Sequence, residues 1–226
     1  AIIDARWLTA IRTAAVGALF ARREARPGAA SVGILGCGVQ GRLQLQAFKE
    51  VVPTIRRCKA YDTDTGQGSR YLEEMSGRYG VEIEIVDTPE AAVRGSDIVM
   101  SSGPIAKARS CAIVPELLAP GSLYISLDRD CYVSDAAVSA MDLVFSDDRE
   151  ALFHAKEHEA SFTSVSRIDA DLGEIASGNA VTRRSADEKI AVFVNGLGIE
   201  DLAAAVEVLR RAEEKDAGLH LPPQYG

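Results

Sequence analysis

A doubly wound α/β fold with a parallel sheet is predicted by three features of the sequence. Short apolar runs of strand length alternate with segments of helical period through most of the 226 residues. The first of these runs, Val32 to Leu35, breaks into Gly36-Cys37-Gly38-Val39-Gln40-Gly41 and then into a helix-like segment. A second strand-like run, Arg57 to Tyr61, ends on Asp62, 21 residues after Gly41. A G-x-G-x-x-G between a strand and a helix is the Rossmann-type dinucleotide fingerprint. The first glycine makes the tight turn, the second admits a pyrophosphate to the backbone, and the third lets helix and strand pack closely. An acid roughly 20 residues further on meets the ribose 2′-hydroxyl of NAD, and it would repel the 2′-phosphate of NADP. NAD is therefore the cofactor expected.

The elements follow in order. Trp7 to Arg23 has apolar residues at Trp7, Leu8, Ile11, Ala15, Leu19 and Phe20, an amphipathic helix stopped by Arg26-Pro27-Gly28. After the first strand, Val39 to Val51 is helical up to Pro53. Gly68 to Tyr79 reads as a polar helix ended at Gly80. Val81 to Val86 alternates apolar and acidic residues, a half-exposed strand. Pro89 to Arg94 is a short helix with Thr88 as its N-cap. Asp97 to Ser101 is a buried strand that delivers Ser101, Ser102 and Gly103 to its carboxyl end. Val114 to Leu118 reads as a short helix, Ser122 to Leu127 as a strand ending in Asp128-Arg129-Asp130, Ser134 to Ala140 as a helix and Leu143 to Ser146 as a strand. Glu150 to Thr163 is a charged helix. Its His154 and His158 stand at metal-compatible i, i+4 spacing, but no further ligand lies close in sequence, so no metal is expected. Leu172 to Ser177 is a short helix, Ile190 to Val194 a strand, and Ile199 to Lys215 a helix with apolar residues on two sides, before the breaks at Gly218 and Pro222-Pro223. Ligands in such sheets bind beyond the carboxyl ends of the strands. Attention therefore falls on residues 36–41, Asp62, Ser101 to Gly103 and Asp128 to Asp130.

Composition narrows the function classes. The net charge of -8 disfavours a nucleic-acid backbone or an anionic membrane as partner. Four cysteines without C-x-x-C spacing fit reduced thiols in a cytoplasmic protein better than disulfides or zinc. No run approaches the roughly 18 apolar residues of a membrane span. The chain opens on Ala1 directly in helix-like sequence, as expected of a segment from within a longer protein.

Particular strings sharpen this reading. Leu8 to Ala15 (LTAIRTAA), Gly33 to Phe48 (GILGCGVQGRLQLQAF), Tyr61-Asp62, Ser96 to Val99, Leu118 to Ser122 (LAPGS), Asp171 to Gly178 (DLGEIASG) and Asn195 to Ala203 (NGLGIEDLA) run in order over nearly the whole chain. Together they resemble the ornithine cyclodeaminase and mu-crystallin family, which also holds alanine dehydrogenases and ketimine reductases. The resemblance implies a Rossmann-type sheet plus remnants of a second domain for dimerisation and substrate binding. Residues 1–24 would lead from that domain, 25–195 would form the NAD-binding domain, and 196–226 would return to it; a homodimer is implied.

The same resemblance implies roles. Arg12 would hold a substrate α-carboxylate, a task suited to a guanidinium fork. Thr13 would lie near the cofactor phosphates, with Gly36, Gly38, Val39, Gln40 and Gly41 in the nucleotide loop and Ser102 lining the cleft. Asp130 would be the catalytic acid/base, with Asp128, two residues earlier, as the alternative carboxylate. Cyclodeaminases continue from that aspartate with Cys-Pro-Gly-Lys, whereas Asp130-Cys131 leads here into Tyr132-Val133-Ser134. The expected activity is NAD(H)-dependent hydride transfer on a small α-amino or α-imino acid. The alternatives are a cyclodeaminase-type ammonia-lyase using NAD catalytically and a non-catalytic NAD(P)H-binding protein like the crystallins.

Overall fold

The structure, a computed structural model, describes residues 1–106 and 108–219. Eight strands form one wholly parallel sheet: β1 (Ser31–Leu35), β2 (Arg57–Tyr61), β3 (Glu82–Ile85), β4 (Ile98–Ser101), β5 (Leu123–Ser126), β6 (Leu143–Ser146), β7 (Ala170–Asp171) and β8 (Ile190–Phe193). Their order is β3-β2-β1-β4-β5-β8-β6-β7. The chain reverses its direction of travel between β1 and β4, so the carboxyl ends of these two strands open the crevice of a doubly wound sheet. The two-residue β7 at the edge has no counterpart in the sequence pattern; it is too short to carry a period.

The helices are α1 (Ala5–Glu24), α2 (Val39–Val51), α3 (Thr65–Met75), α4 (Pro89–Val93), α5 (Asp135–Ser139), α6 (Arg149–Glu159), α7 (Leu172–Ser177) and α8 (Gly198–Glu214). α3 starts three residues before the sequence suggests, because the Asp64 carboxylate accepts from the Gly66 and Gln67 N–H groups and so caps it. It also stops at Met75 rather than Tyr79, with Ser76 extended and Gly77 at positive φ. Pro115–Leu117 is a single 3₁₀ turn rather than an α-helix. α6 ends at Glu159, where Ala160 turns left-handed, four residues short of the expected end. The Pro222-Pro223 break lies outside the described residues. No helix among the described residues is long and apolar enough to cross a membrane.

Alternate residues of the central strands feed two cores. Val32, Ile34, Ile98, Met100, Leu123, Ile125 and Val192 pack on one face beneath Phe20, Leu45 and Phe48 of α1 and α2. Leu35, Val99, Tyr124, Val144, Ala191 and Phe193 pack on the other with Val138, Leu152 and Phe162. Strands buried on both faces read as continuous apolar runs, and this is why β4, β5, β6 and β8 were legible.

At the amino ends, Asp97 ties β4 to β1. Its Oδ2 accepts from the Ala30 N–H (2.8 Å), the Ser31 N–H (3.0 Å) and Ser31 Oγ (2.8 Å), while Oδ1 accepts from Arg26 Nε at 2.7 Å. Burial alone would raise this carboxyl, but the donors from Ala30, Arg26 and Ser31 outweigh it and hold it below the ordinary range. Such a depressed group stabilises the fold above its unfolded value of about 4, and that stabilisation is lost as pH falls through the folded value. Asp97→Asn is expected to cost about 1–3 kcal/mol at pH 7 in urea unfolding, with the difference from wild type shrinking below pH 4.

Candidate active site

The site is built from the carboxyl ends of β1, β2, β4, β5 and β8. At the end of β1, Gly36 takes φ +105°, and a Cβ there would stand 2.9 Å from the Ser102 carbonyl carbon. A Cβ on Gly41 would meet the Gly36 carbonyl oxygen at 2.2 Å, so the first turn of α2 presses directly on the strand it follows. Gly38, the N-cap, offers no capping side chain and has nothing within 4 Å of where a Cβ would be. The first N–H groups of α2 are thus turned toward open space, a ready anion site at the positive end of the helix. Val39 is exposed, and Gln40 carries a buried Oε1 with no partner. Asp62 shapes the loop as well as facing it. Its Oδ2 accepts from the Cys37 N–H at 2.7 Å and its Oδ1 from the Asp64 N–H at 2.9 Å. Cys37 itself is no nucleophile: burial, with Asp62 adding to it, pushes its thiol up to about 12. All four cysteines are free.

Two cavities meet here. One, of about 460 Å³, is lined by Gly36, Gly38, Asp62, Gln67 and Tyr132, among others. The second, of about 300 Å³, is lined by Thr9, Arg12, Thr13, Gln40, Leu127 and Asn195, among others. Both are lined by Ser102 and Gly103, so they adjoin as the two halves of a trough at the tip of β4. The first half has the acid and the open glycine turn that an adenosine and its pyrophosphate require, and the second has room for a smaller ring and a substrate. The residues present fit a dinucleotide: Asp62 would face its ribose, the α2 amino end its phosphates, and Gln40 and Ser102 would lie between the two cavities.

The structure brings Arg12, Thr13, the glycine loop, Asp62 and Ser102 together as the sequence suggests, but it places Asp130 elsewhere. Neither Asp130 nor Asp128 is itself a lining residue of the two cavities. The Asp130 carboxylate accepts from the Phe162 N–H (3.0 Å), the Ser164 N–H (2.9 Å), Ser164 Oγ (2.9 Å) and Thr163 Oγ1 (3.3 Å), and Arg109 Nε lies 3.4 Å away. It anchors the turn after α6 and, through Arg109, the loop after β4. Arg129, between the two aspartates, takes a left-handed φ of +65°, and the aspartates on either side of it meet different partners.

Asp128 is the carboxylate under the trough. It is fully buried, with Oδ1 accepting from Ser101 Oγ (3.1 Å) and Ser126 Oγ (2.9 Å) and Oδ2 from the Gly103 N–H (3.3 Å). Burial raises its carboxyl to about 7 against the pull of those donors. Leu127 and Gly103, which line the cavity, are its immediate cover. Sequence reasoning reached Asp128 only as an alternative. It missed Glu200 and Asp201, which bind Arg12, and nothing in their spacing links them to a residue 188 positions away. The His154 and His158 ring centroids lie 4.4 Å apart with the rings tilted by 57°, and no cluster of three or more metal-ligating groups occurs among the described residues.

A sheet with this edge defines a dinucleotide-binding α/β domain. The chain belongs to the ornithine cyclodeaminase/mu-crystallin family, whose pattern matches residues 1–216. It is 27% identical over 226 residues to the alanine dehydrogenase of Archaeoglobus fulgidus, covering 96% of this chain and 68% of the relative. It is 28% identical over 218 residues to the ornithine cyclodeaminase of Agrobacterium fabrum, covering 91% and 58%. The structure of a Thermococcus litoralis Δ1-pyrroline-2-carboxylate reductase, in complex with NADH and L-proline, superposes with a TM-score of 0.82 at 27% identity, covering 95% of this chain and 68% of that one. The chain thus spans about two thirds of the length of the alanine dehydrogenase and the reductase.

Asp62→Ala is expected to abolish discrimination between NADH and NADPH in fluorescence titrations of the two. An unchanged ratio of dissociation constants would refute the ribose role.

Proposed function

We propose that the chain forms the cofactor and catalytic part of an NAD(H)-dependent oxidoreductase acting on a small α-amino or α-imino acid. The observation that carries this is the trough whose Asp62 and glycine-loop half adjoins the Arg12 half at Ser102 and Gly103, with the Gly103 N–H donating to the buried Asp128. The relatives named above, a dehydrogenase of an amino acid and a reductase of a cyclic imino acid with NADH and L-proline, support the same chemistry.

A bound nicotinamide would supply the two-electron step, taking a hydride from the substrate α-carbon or returning it. Arg12 holds the α-carboxylate and so fixes which face of the α-carbon is presented. Oxidation of an amine to an imine releases a proton besides the hydride. Asp128 takes that proton, and gives it back in the reductive direction, in the role expected of Asp130. A carboxyl near 7 is matched to this exchange at neutral pH, where both of its forms are populated. The Ser101 and Ser126 hydroxyls hold Oδ1, leaving Oδ2, on the Gly103 side, as the edge nearest the substrate. Asp130, with its full set of donors, keeps the neighbouring turn in place.

The reading is tested by following absorbance at the NADH band with the full-length protein against a panel of L-amino acids and cyclic imines. Asp128→Asn is expected to lower kcat by at least a hundredfold and to remove the ionisation near pH 7 from the rate profile, while Asp130→Asn acts mainly on thermal stability. Ammonia and proline formed from L-ornithine with no net NADH would assign cyclodeamination instead. NADH binding without turnover of any panel member would assign a binding protein.

The same family implies a pair of chains, and one helix supports it. Ile199, Leu202, Val206 and Leu209 recur along α8 with large exposed fractions, and no residue of α8 is buried. Sedimentation should show a dimer; a Leu202→Glu, Val206→Glu variant should shift it toward monomer, and a monomeric wild type would refute the pairing.

A further inference from the structure

Arg12 does not stand free in the cavity. Its Nε donates to Asp201 Oδ1 at 3.0 Å and its Nη1 to Glu200 Oε2 at 3.1 Å, both carboxylates coming from the first turn of α8. Its side chain and that of Glu200 are both largely buried, while that of Asp201 is partly exposed. No partner of Nη2 is found among the described residues, so one edge of the guanidinium remains for a ligand. Glu200 is held in turn, because its Oε2 also accepts from the Leu197 N–H at 3.2 Å, at the N-cap of α8. The turn leading into α8 is fixed from a third direction: Asp147 Oδ2, beyond β6, accepts from the N–H groups of Asn195 (2.9 Å) and Gly196 (2.6 Å). Gly196 sits at φ +89°, and a Cβ on it would lie 2.8 Å from Arg12 Nη1. The bare backbone at this position is what lets α8 come close enough for both carboxylates to reach the arginine.

We infer that Glu200 and Asp201 are positioning residues for substrate recognition, clamping two edges of the Arg12 fork so that its Nη2 edge is presented to the α-carboxylate. This rests on the reading of Arg12 as the carboxylate-binding residue. A flexible arginine side chain loses rotamer entropy when it is ordered, and a fork already held by its own protein loses less on binding. The arrangement has a consequence that a simple charge count would reverse. Two carboxylates beside one guanidinium leave an excess of negative charge, so if they acted only through charge they would repel the incoming carboxylate. As clamps they improve its binding in spite of that repulsion.

The sign of one mutational effect decides between the two. L-alanine and L-proline are titrated into full-length protein saturated with NADH, with cofactor fluorescence reporting amino-acid binding. Asp201→Asn and Glu200→Gln are expected to weaken amino-acid binding at least tenfold, with the dissociation constant for NADH itself unchanged within twofold. Arg12→Lys, which keeps the charge but not the fork, is expected to lose as much as Arg12→Ala. Asp201 is partly exposed, so Asp201→Asn is the variant least exposed to a folding defect, and a wild-type melting temperature verifies it. Tighter amino-acid binding by the Asn and Gln variants, or no change, would overturn the clamp while leaving Arg12 in its role. Unchanged binding in Arg12→Ala, or no saturable response of the wild type to either amino acid, would overturn the reading of Arg12 and the clamp with it.

Discussion

The approach of Gly36 to Ser102 at the ends of β1 and β4 is the contact on which the rest of the site depends. β1 lies between β2 and β4, and all three are parallel, so their carboxyl ends emerge on one edge. The first turn after β1 has to rise off the sheet at once, or it would block the crevice that the sheet opens. Gly36, left-handed and without a Cβ, makes that turn against the backbone of Ser102, and Gly41 lets α2 settle onto it. The uncapped amino end of α2, Asp62 from β2 and the Ser102-Gly103 tip of β4 then share one trough. A side chain at Gly36 would push β4's tip away and separate the two halves of the cavity.

Two aspartates two residues apart show how environment assigns chemistry. Asp128 and Asp130 follow the same strand and are both buried, yet with the left-handed Arg129 between them they meet different partners. Asp130 receives two backbone N–H groups, two hydroxyls and an arginine, and it holds the turn at residues 162–164. Asp128 receives two hydroxyls and one N–H in full burial, where desolvation outweighs them and the proton is held until neutral pH. The cost of burying it is borne by the fold, as is common where a site stores an unfavourable ionisation.

The Arg12 half of the trough is assembled from the two ends of the chain. α1 brings the guanidinium, and α8 packs against α1 and brings the carboxylates that flank it. Because β8 inserts between β5 and β6 rather than following at the sheet's edge, the Asn195-Gly196 turn emerges beside the carboxyl end of β5 and beside Asp147 after β6. The late strand therefore delivers α8 to the active edge. Loop, strand insertion and helix cap together set the reach of one arginine.

Much of this was legible in the residues themselves. The glycine loop, the acid after β2 and the apolar runs of the buried strands are local patterns, each set by sterics or hydrophobic period within a few residues, and they determined the sheet, the cofactor class and the position of the trough. The bounds of α3 and the 3₁₀ turn at Pro115–Leu117 were less legible, since caps and single turns compete within a few tenths of a kcal/mol to about 1 kcal/mol. What only the tertiary structure decided is which side chains converge. The different partners of Asp128 and Asp130 go with one left-handed residue and with contacts from distant segments, neither of which has a sequence period. The pairing of Arg12 with Glu200 and Asp201 turned on a strand order that inserts β8 between β5 and β6, and such long-range contacts are fixed by packing of the whole sheet rather than by any neighbouring residue.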